Sequence, residues 1–228
     1  MNKLGVQFRA SFIQIRPALW VVIGLIAVSM IADFTVNMAL GDSAENVQIS
    51  SGNMLLALLP IVAILLPLRT FRQMLNFGAS RSEFFKGQIA IYAFAALLLA
   101  LFNSLWWLLE TGFIRDYRQT INILEVFHWT QFGPVGMFVY QTVFYFFVLT
   151  LFNLLFSGLQ SAAGWVLWVL LIAAIPVGTA IASLRVHVAD FFLALLFNDS
   201  LIAGMAVNLG LSLAFLAGAW LFTARRRF

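Results

Sequence analysis

The sequence predicts an all-α integral membrane protein with six membrane-spanning helices. Of its 228 residues, 63% are apolar and only 10% are charged, whereas a soluble domain carries about 25% charged residues. The apolar stretches are long, and a bilayer core takes about 20 helical residues to cross. They show no strand-like alternation, which favours a helical bundle over a barrel, because backbone groups in lipid must be satisfied within one of these two structures.

The six predicted spans follow one another without a long linker, so we expect a single transmembrane domain over residues 1–228. The second span is the shortest and contains Pro60 and Pro67, which remove intrahelical hydrogen bonds and tend to kink or end a helix. The predicted spans cover residues 18–40, 53–68, 88–109, 134–155, 162–182 and 201–223.

Residues 3–16 precede the first span and predict an amphipathic helix in the membrane interface. Their apolar residues recur at helical spacing, and basic residues flank this stripe, where they can approach anionic headgroups. The segment is either a simple lead-in to the span or a contact for a partner. The apolar run that follows exceeds the roughly 7–15 residues of a signal-peptide core, so we expect a span there. The candidate residues of this helix are Lys3, Phe8, Arg9, Phe12 and Arg16.

The most informative segment is the basic stretch 69–87 between the second and third spans. Its apolar residues lie on one helical face, and Gly78 is placed just beyond the end of that short helix. The residues from Ser80 to Glu83 match a capping box that starts a new helix. We expect two helices at an angle with exposed arginines, which is either a docking element or a plain positively charged loop. The candidate docking residues are Arg69, Arg72, Gln73, Leu75, Phe77, Gly78, Ala79, Ser80, Arg81 and Glu83.

The basic residues set the expected orientation. If both termini are cytoplasmic, ten lysines and arginines fall inside and only Arg115, Arg118 and Arg185 fall outside, in accordance with the positive-inside rule. The net charge of +4 is thereby explained by topology, without nucleic acid binding.

Two further segments and one acidic residue also allow predictions. Residues 184–198 are apolar but too short to cross a bilayer, so they predict a re-entrant or interfacial hairpin on the outer side. The aromatic stretch 110–133 predicts an outer loop that packs at the membrane interface. Asp33 is the acid inside a predicted span; its position in the outer third is compatible with an interfacial place or with a role in a substrate or proton pathway.

Most catalytic chemistry is excluded by the residues. The chain has no cysteine and two isolated histidines, which lack the spacing of a zinc site. It also lacks the glycine-rich phosphate loop of many ATPases. We therefore expect neither an enzyme nor a metal site nor a cofactor bound by this chain.

The architecture as a whole resembles the type-2 class of ABC transporter permeases, the membrane subunits of bacterial exporters. The shared features are the amphipathic N-terminal helix, six spans, a helical loop between the second and third spans, and an apolar outer hairpin before the sixth. The most specific local match is residues 72–81 with the following Phe84-Phe85-Lys86-Gly87, which are similar to the coupling helix of that family and its turn into span three.

The resemblance implies a multi-pass subunit in a bacterial cell membrane that pairs with a second, identical or different, permease chain. Two cytoplasmic ATPase subunits would bind ATP and Mg²⁺, and residues 69–81 would dock in a cleft of the ATPase, with residues 3–16 as a second contact. The cargo would move between the two permeases along spans one, two and five, and the apolar, aromatic lining suits a peptide, lantibiotic or drug. Two other readings are a membrane sensor or assembly protein with a docking loop, and a vitamin-uptake subunit.

Overall fold

The computed structural model describes residues 3–40, 48–115 and 119–226, and the side chains at positions 33, 36, 37, 39, 40 and 48 lie outside this description. Within it the regular secondary structure is helical except for one pair of two-residue strands. Six helical stretches are long and apolar enough to cross a membrane, as the sequence predicts. They are Lys3–Ala32, Ser51–Asn76, Arg81–Ile114, Trp129–Gly158, Ala162–Ala180 and Leu201–Arg225.

The helices follow in chain order, and short 3₁₀ and π-helical turns extend several of them. The 3₁₀ turns are Ser51–Ala57 and Trp129–Phe132, and the π-helical turns are Leu66–Thr70 and Glu110–Ile114. The α-helices are α1 Lys3–Leu40, α2 Leu58–Leu65, α3 Phe71–Asn76, α4 Arg81–Leu109, α5 Ile123–Val126, α6 Gly133–Gly158, α7 Ala162–Ala180, α8 Ala182–Leu196 and α9 Leu201–Arg225.

The core of the bundle is formed where α2, α4 and α9 pack around α6. Tyr92, Tyr145 and Leu149 are buried there beside small alanines of α4. The helices α1 and α7 are peripheral. In their most apolar stretches 6% and 11% of the residues are buried, against 50% in the helix of residues 51–76. These two helices therefore present broad apolar faces to lipid or to another chain.

Both described ends of the chain lie at the same end of the bundle, which we call the basic end. Lys3 contacts Glu83 at the start of α4, and Arg226 contacts the backbone of Pro67. The opposite end, which we call the far end, holds the strands Gln48–Ile49 and Thr120–Ile121, paired in parallel. Two termini on one side are what an even number of spans requires.

The N-terminal segment is not a separate interfacial helix, which corrects the prediction. Residues 3–40 form one continuous helix that includes Pro17. The side of residues 3–16 that carries Gln7 and Ser11 is buried and packs against the start of α4. The Gln7 amide donates to the carbonyl of Phe84, and Gly87 leaves the space for it, since a Cβ at that position would overlap the amide. This anchoring keeps the segment in line with the span.

The second span also differs from its predicted bounds, because it continues past Leu68 to Asn76. Pro67 lies in the π-helical turn Leu66–Thr70. A π-helical turn changes the local hydrogen-bonding pattern, and proline has no backbone N–H to contribute to it. The turn therefore carries the helix across the proline directly into α3.

The segment before α9 is a single helix and not a hairpin, which corrects the prediction of a re-entrant or interfacial hairpin at residues 184–198. Ile181 alone separates α8 from α7, and α8 runs without reversal to Leu196. Its last carbonyls are held at the far end, because Trp129 donates to Leu196 at 2.8 Å and Tyr140 donates to Leu195 at 3.0 Å. The aromatic stretch before α6 packs on the bundle as expected, with Trp129 fully buried.

An ion pair at the far end gives a pH prediction. Arg115 donates to Glu125 at 2.5 Å. Burial raises the pKa of Glu125, but hydrogen bonds, including the one from Arg115, outweigh it and hold the pKa below the ordinary value of 4.5. A carboxylate with a lowered pKa stabilises the fold above its unfolded pKa, and this contribution is lost as the pH falls through the folded one. We expect the unfolding temperature in detergent to fall as the pH drops below about 4.5.

The matched variants separate this ion pair from general acid effects. In Glu125→Gln the unfolding temperature should be lower at pH 7, and part of the acid-induced decrease should disappear. Asp199→Asn, which changes an exposed acid, should behave like the unaltered protein. Identical acid profiles for Glu125→Gln and the unaltered protein would contradict the assignment.

Candidate functional site

Three segments that are distant in the sequence meet at the basic end. They are the start of α1 (residues 3–16), the connection through α3 into α4 (residues 69–87), and the end of α9 with the tail (residues 224–226). We call this assembly the basic knob. It contains every candidate docking residue and all five candidates of the N-terminal segment.

A small apolar core holds the knob together. Phe71, Met74, Ala79 and Phe84 are buried in it, with Val6 and Leu75 packed at its edge. The rings of Phe71 and Phe84 meet edge to face, 5.0 Å apart at 72°, a favoured geometry for an aromatic pair. This core makes the knob a defined shape and not a loose loop.

The turn between α3 and α4 has the predicted form. Gly78 has a φ of +76°, which glycine adopts at little cost. Its N–H donates to Leu75 at 2.9 Å, and that of Ala79 donates to Met74 at 3.0 Å. This pair of bonds is the Schellman motif that ends a helix and satisfies its last carbonyls.

The start of α4 is a reciprocal capping box, also as predicted. The Glu83 N–H donates to the Ser80 hydroxyl at 3.2 Å, and the Ser80 N–H donates to the Glu83 carboxylate at 2.7 Å. Lys3 pairs with the same carboxylate at 3.0 Å and reaches the Gly78 carbonyl at 3.4 Å. Glu83 thereby joins the turn to the first residues of α1.

Two glutamines of α1 fix it along the knob, and the sequence patterns do not single them out. Besides the bond of Gln7 to Phe84, Gln14 donates to Gln73 at 2.6 Å and accepts from Thr70 at 3.1 Å. Gln7 and Gln14 are seven residues apart, so they lie on the same face of a helix, and this spacing was the available signal of a polar contact. The spacing could not predict the partners, because each bond joins residues more than 50 positions apart in the sequence.

Arg81 is not free on the surface, which corrects the expectation of three exposed arginines. It is half-buried and donates to the carbonyls of Ala224 and, at 2.9 Å, of Arg226. Arg226 in turn donates to Pro67 and Gln160, each at 2.6 Å, and lies 4.7 Å from the Phe71 ring. Arg81 therefore ties the tail to the knob, while Arg69 and Arg72 remain exposed.

The knob has an unbalanced positive charge. Burial lowers the pKa of Arg226, and the neighbouring positive charge of Arg72 adds to this effect. Glu83 is the acid of the described knob, and Lys3 already pairs with it. An exposed apolar side chain, Phe77 at 63%, stands in this basic surface. Besides Lys3, the exposed cations of this end are Arg9, Arg16, Arg69, Arg72, Lys86 and Arg225.

The remaining candidates are the two phenylalanines of the N-terminal segment and Asp33. Phe8 packs inward against Phe94, with ring centres 5.8 Å apart, while Phe12 is exposed. Asp33 belongs to α1, but its side chain is outside the described part of the protein. Within the described residues no group of three histidines, cysteines or acids could hold a metal ion.

Comparisons with protein-family models, curated proteins and solved structures find no match to this chain. The fold and site define a multi-pass helical membrane protein with a basic, partly apolar knob at the end where residues 3 and 226 lie.

Proposed function

We propose that the protein is the permease subunit of an ATP-driven exporter of the type-2 ABC class. In this proposal the basic knob docks in separate cytoplasmic ATPase subunits, two copies for each pair of permeases. The observation that carries the proposal is the knob itself: a capped two-helix corner, braced from both ends of the chain, that presents arginines and an exposed phenylalanine.

The bracing supports a role in force transmission. The knob connects without a flexible linker to three spans, because α1 is continuous through residue 16, α3 follows the second span directly, and α4 begins in the turn. Because these helices are continuous with the knob, a partner that displaces the knob would also displace them. A partner can drive that movement only if it contacts the knob differently in its two nucleotide states.

The exposed apolar helices support a second permease chain. α1 and α7 bury few of their residues inside one protomer, and a membrane protein can cover such faces by oligomerisation or with lipid. In the proposal these helices face the partner permease, identical or not, and the pathway for an amphipathic or hydrophobic cargo runs between the two chains.

The first test is co-purification from the native membrane in a gentle detergent, with mass spectrometry of the soluble proteins retained. We expect a stoichiometric ATPase, reduced at least about tenfold in Arg72→Glu, because charge reversal at a complementary interface is strongly unfavourable. Arg72 is suited to this test because it is exposed, whereas Arg81 holds the tail.

Arg185→Glu is the matched control, since Arg185 is exposed on α8, away from the knob, and its reversal should leave the ATPase bound. Retention of the ATPase in Arg72→Glu would contradict docking at the knob. A stoichiometric kinase or scaffold in place of an ATPase would overturn the transport function in favour of a sensor or assembly protein. An ATPase complex that takes up a vitamin into vesicles would favour the hypothesis that this chain is a vitamin-uptake subunit.

A further inference from the structure

An open apolar groove runs along the outside of the bundle between α1, α2 and α4. Its volume is about 510 Å³. The lining extends along α1 from Phe8 to Ile26 and along α4 from Ile91 to Phe102. It faces the periphery, because α1 is the least buried of the six spanning stretches.

The groove is polar only toward the basic end. Ser11 lines it and is 2% exposed, and its hydroxyl has no hydrogen-bond partner among the described residues. A buried hydroxyl without a partner is costly, so a ligand with a polar atom at this level of the groove would be favoured. Arg16 also lines the groove and is otherwise exposed, and no acid is among the lining residues.

The distances along α1 fit one leaflet of a bilayer. Arg16 is the last charged residue of α1 before the uncharged run 17–32, and a basic residue at the edge of such a run is expected at the level of the headgroups. The ten residues from Arg16 to Ile26 rise about 15 Å, which is half of the roughly 30 Å hydrocarbon core. The apolar part of the groove is therefore about as long as one acyl chain.

We propose that the groove binds an anionic phospholipid of the leaflet at the basic end. Its phosphate lies at Arg16, a headgroup oxygen beyond the phosphate forms a hydrogen bond with the Ser11 hydroxyl, and one acyl chain fills the groove toward Ile26. Charge complementarity selects this occupant: Arg16 favours a negative headgroup, and the apolar remainder excludes a free anion. The site does not depend on the transport function proposed above.

The site can be tested on the intact protein by native mass spectrometry after titration with phosphatidylglycerol or phosphatidylcholine in detergent. We expect one phosphatidylglycerol per chain to bind at least about tenfold more tightly than phosphatidylcholine. Arg16→Gln should reduce this preference about tenfold, since it removes a charge-assisted hydrogen bond. Ala95→Phe should abolish binding of both lipids, because Ala95 lines the groove.

Two controls match these variants closely. Arg9→Gln removes an exposed arginine that does not line the groove, and Ala93→Phe enlarges an exposed alanine two residues from Ala95; both should bind phosphatidylglycerol normally. Equal binding of the two lipids, unchanged by Arg16→Gln, would overturn the proposal. A groove that binds an uncharged apolar dye, with no effect of Arg16→Gln and no retained phosphatidylglycerol, would also overturn it and indicate an apolar cargo site.

Discussion

Replacing Gly164 by valine is expected to destabilise the protein severely. Gly164 lies in the first turn of α7, and a Cβ there would overlap the backbone carbonyl of Gly158 at the end of α6. The connection has little room to adjust, because Ser161 caps α7 through the Gly164 N–H at 3.1 Å and also donates to Gly158 at 3.0 Å. Overpacking against a side chain costs about 1–3 kcal/mol. The cost should be larger here, because backbone atoms can move away less easily than a side chain.

We therefore expect a loss of at least about 3 kcal/mol, which lowers the unfolding temperature of a chain of this size by roughly 10 °C. Thermal unfolding in detergent, followed by tryptophan fluorescence or by loss of the monodisperse peak, measures it. Gly24→Val is the control, because a Cβ at Gly24 meets no atom within 4 Å. Equal unfolding temperatures for the two variants would show that α6 and α7 do not approach as described.

The parts of the fold that the sequence predicted correctly are those determined by neighbouring residues. The turn of Gly78 and the capping box of Ser80 and Glu83 each depend on bonds that span at most five residues. Side-chain type and spacing are sufficient to specify such local geometry. The six spans follow in the same way from length and apolar composition alone.

The parts that could not be predicted depend on contacts between distant segments. Arg81 has the pattern of an exposed docking residue, yet its partner carbonyls lie 143 and 145 residues away. Gln7 holds the start of α1 against α4 across 77 residues and thereby changes an expected surface helix into an extension of the span. Nothing in the local sequence distinguishes these roles from solvent exposure.

The apolar segment before α9 shows the same limit for hydrophobic residues. Its composition is equally compatible with a hairpin in the membrane and with one helix at the interface. In the structure the segment is one helix, and the carbonyls of Leu195 and Leu196 at its end accept from Tyr140 and Trp129 on other elements. These bonds hold the end of one continuous helix at the far end.

The second large effect is expected from Gly78→Val, and it should concern coupling and not folding. A side chain at Gly78 meets no atom within 4 Å, but its φ of +76° disfavours most residues with a Cβ. Strain at such a position costs about 1–3 kcal/mol and is most severe for β-branched residues. The corner between α3 and α4 should relax to another angle, so that the exposed face of the knob is displaced relative to α4.

Under the function proposed above, the measurement uses the complex of this chain with the proposed ATPase subunits, reconstituted in vesicles. We expect transport by Gly78→Val to fall at least about tenfold while ATP hydrolysis continues, because a strain of 1–3 kcal/mol corresponds to roughly one to two powers of ten in the population of the native corner. Gly78→Asn should retain most of the transport, since asparagine tolerates positive φ. Gly112→Val, at the far end of the same helical stretch and without steric conflict or positive φ, should be normal. Unchanged transport in Gly78→Val would contradict the role of this corner, even if the ATPase is bound there.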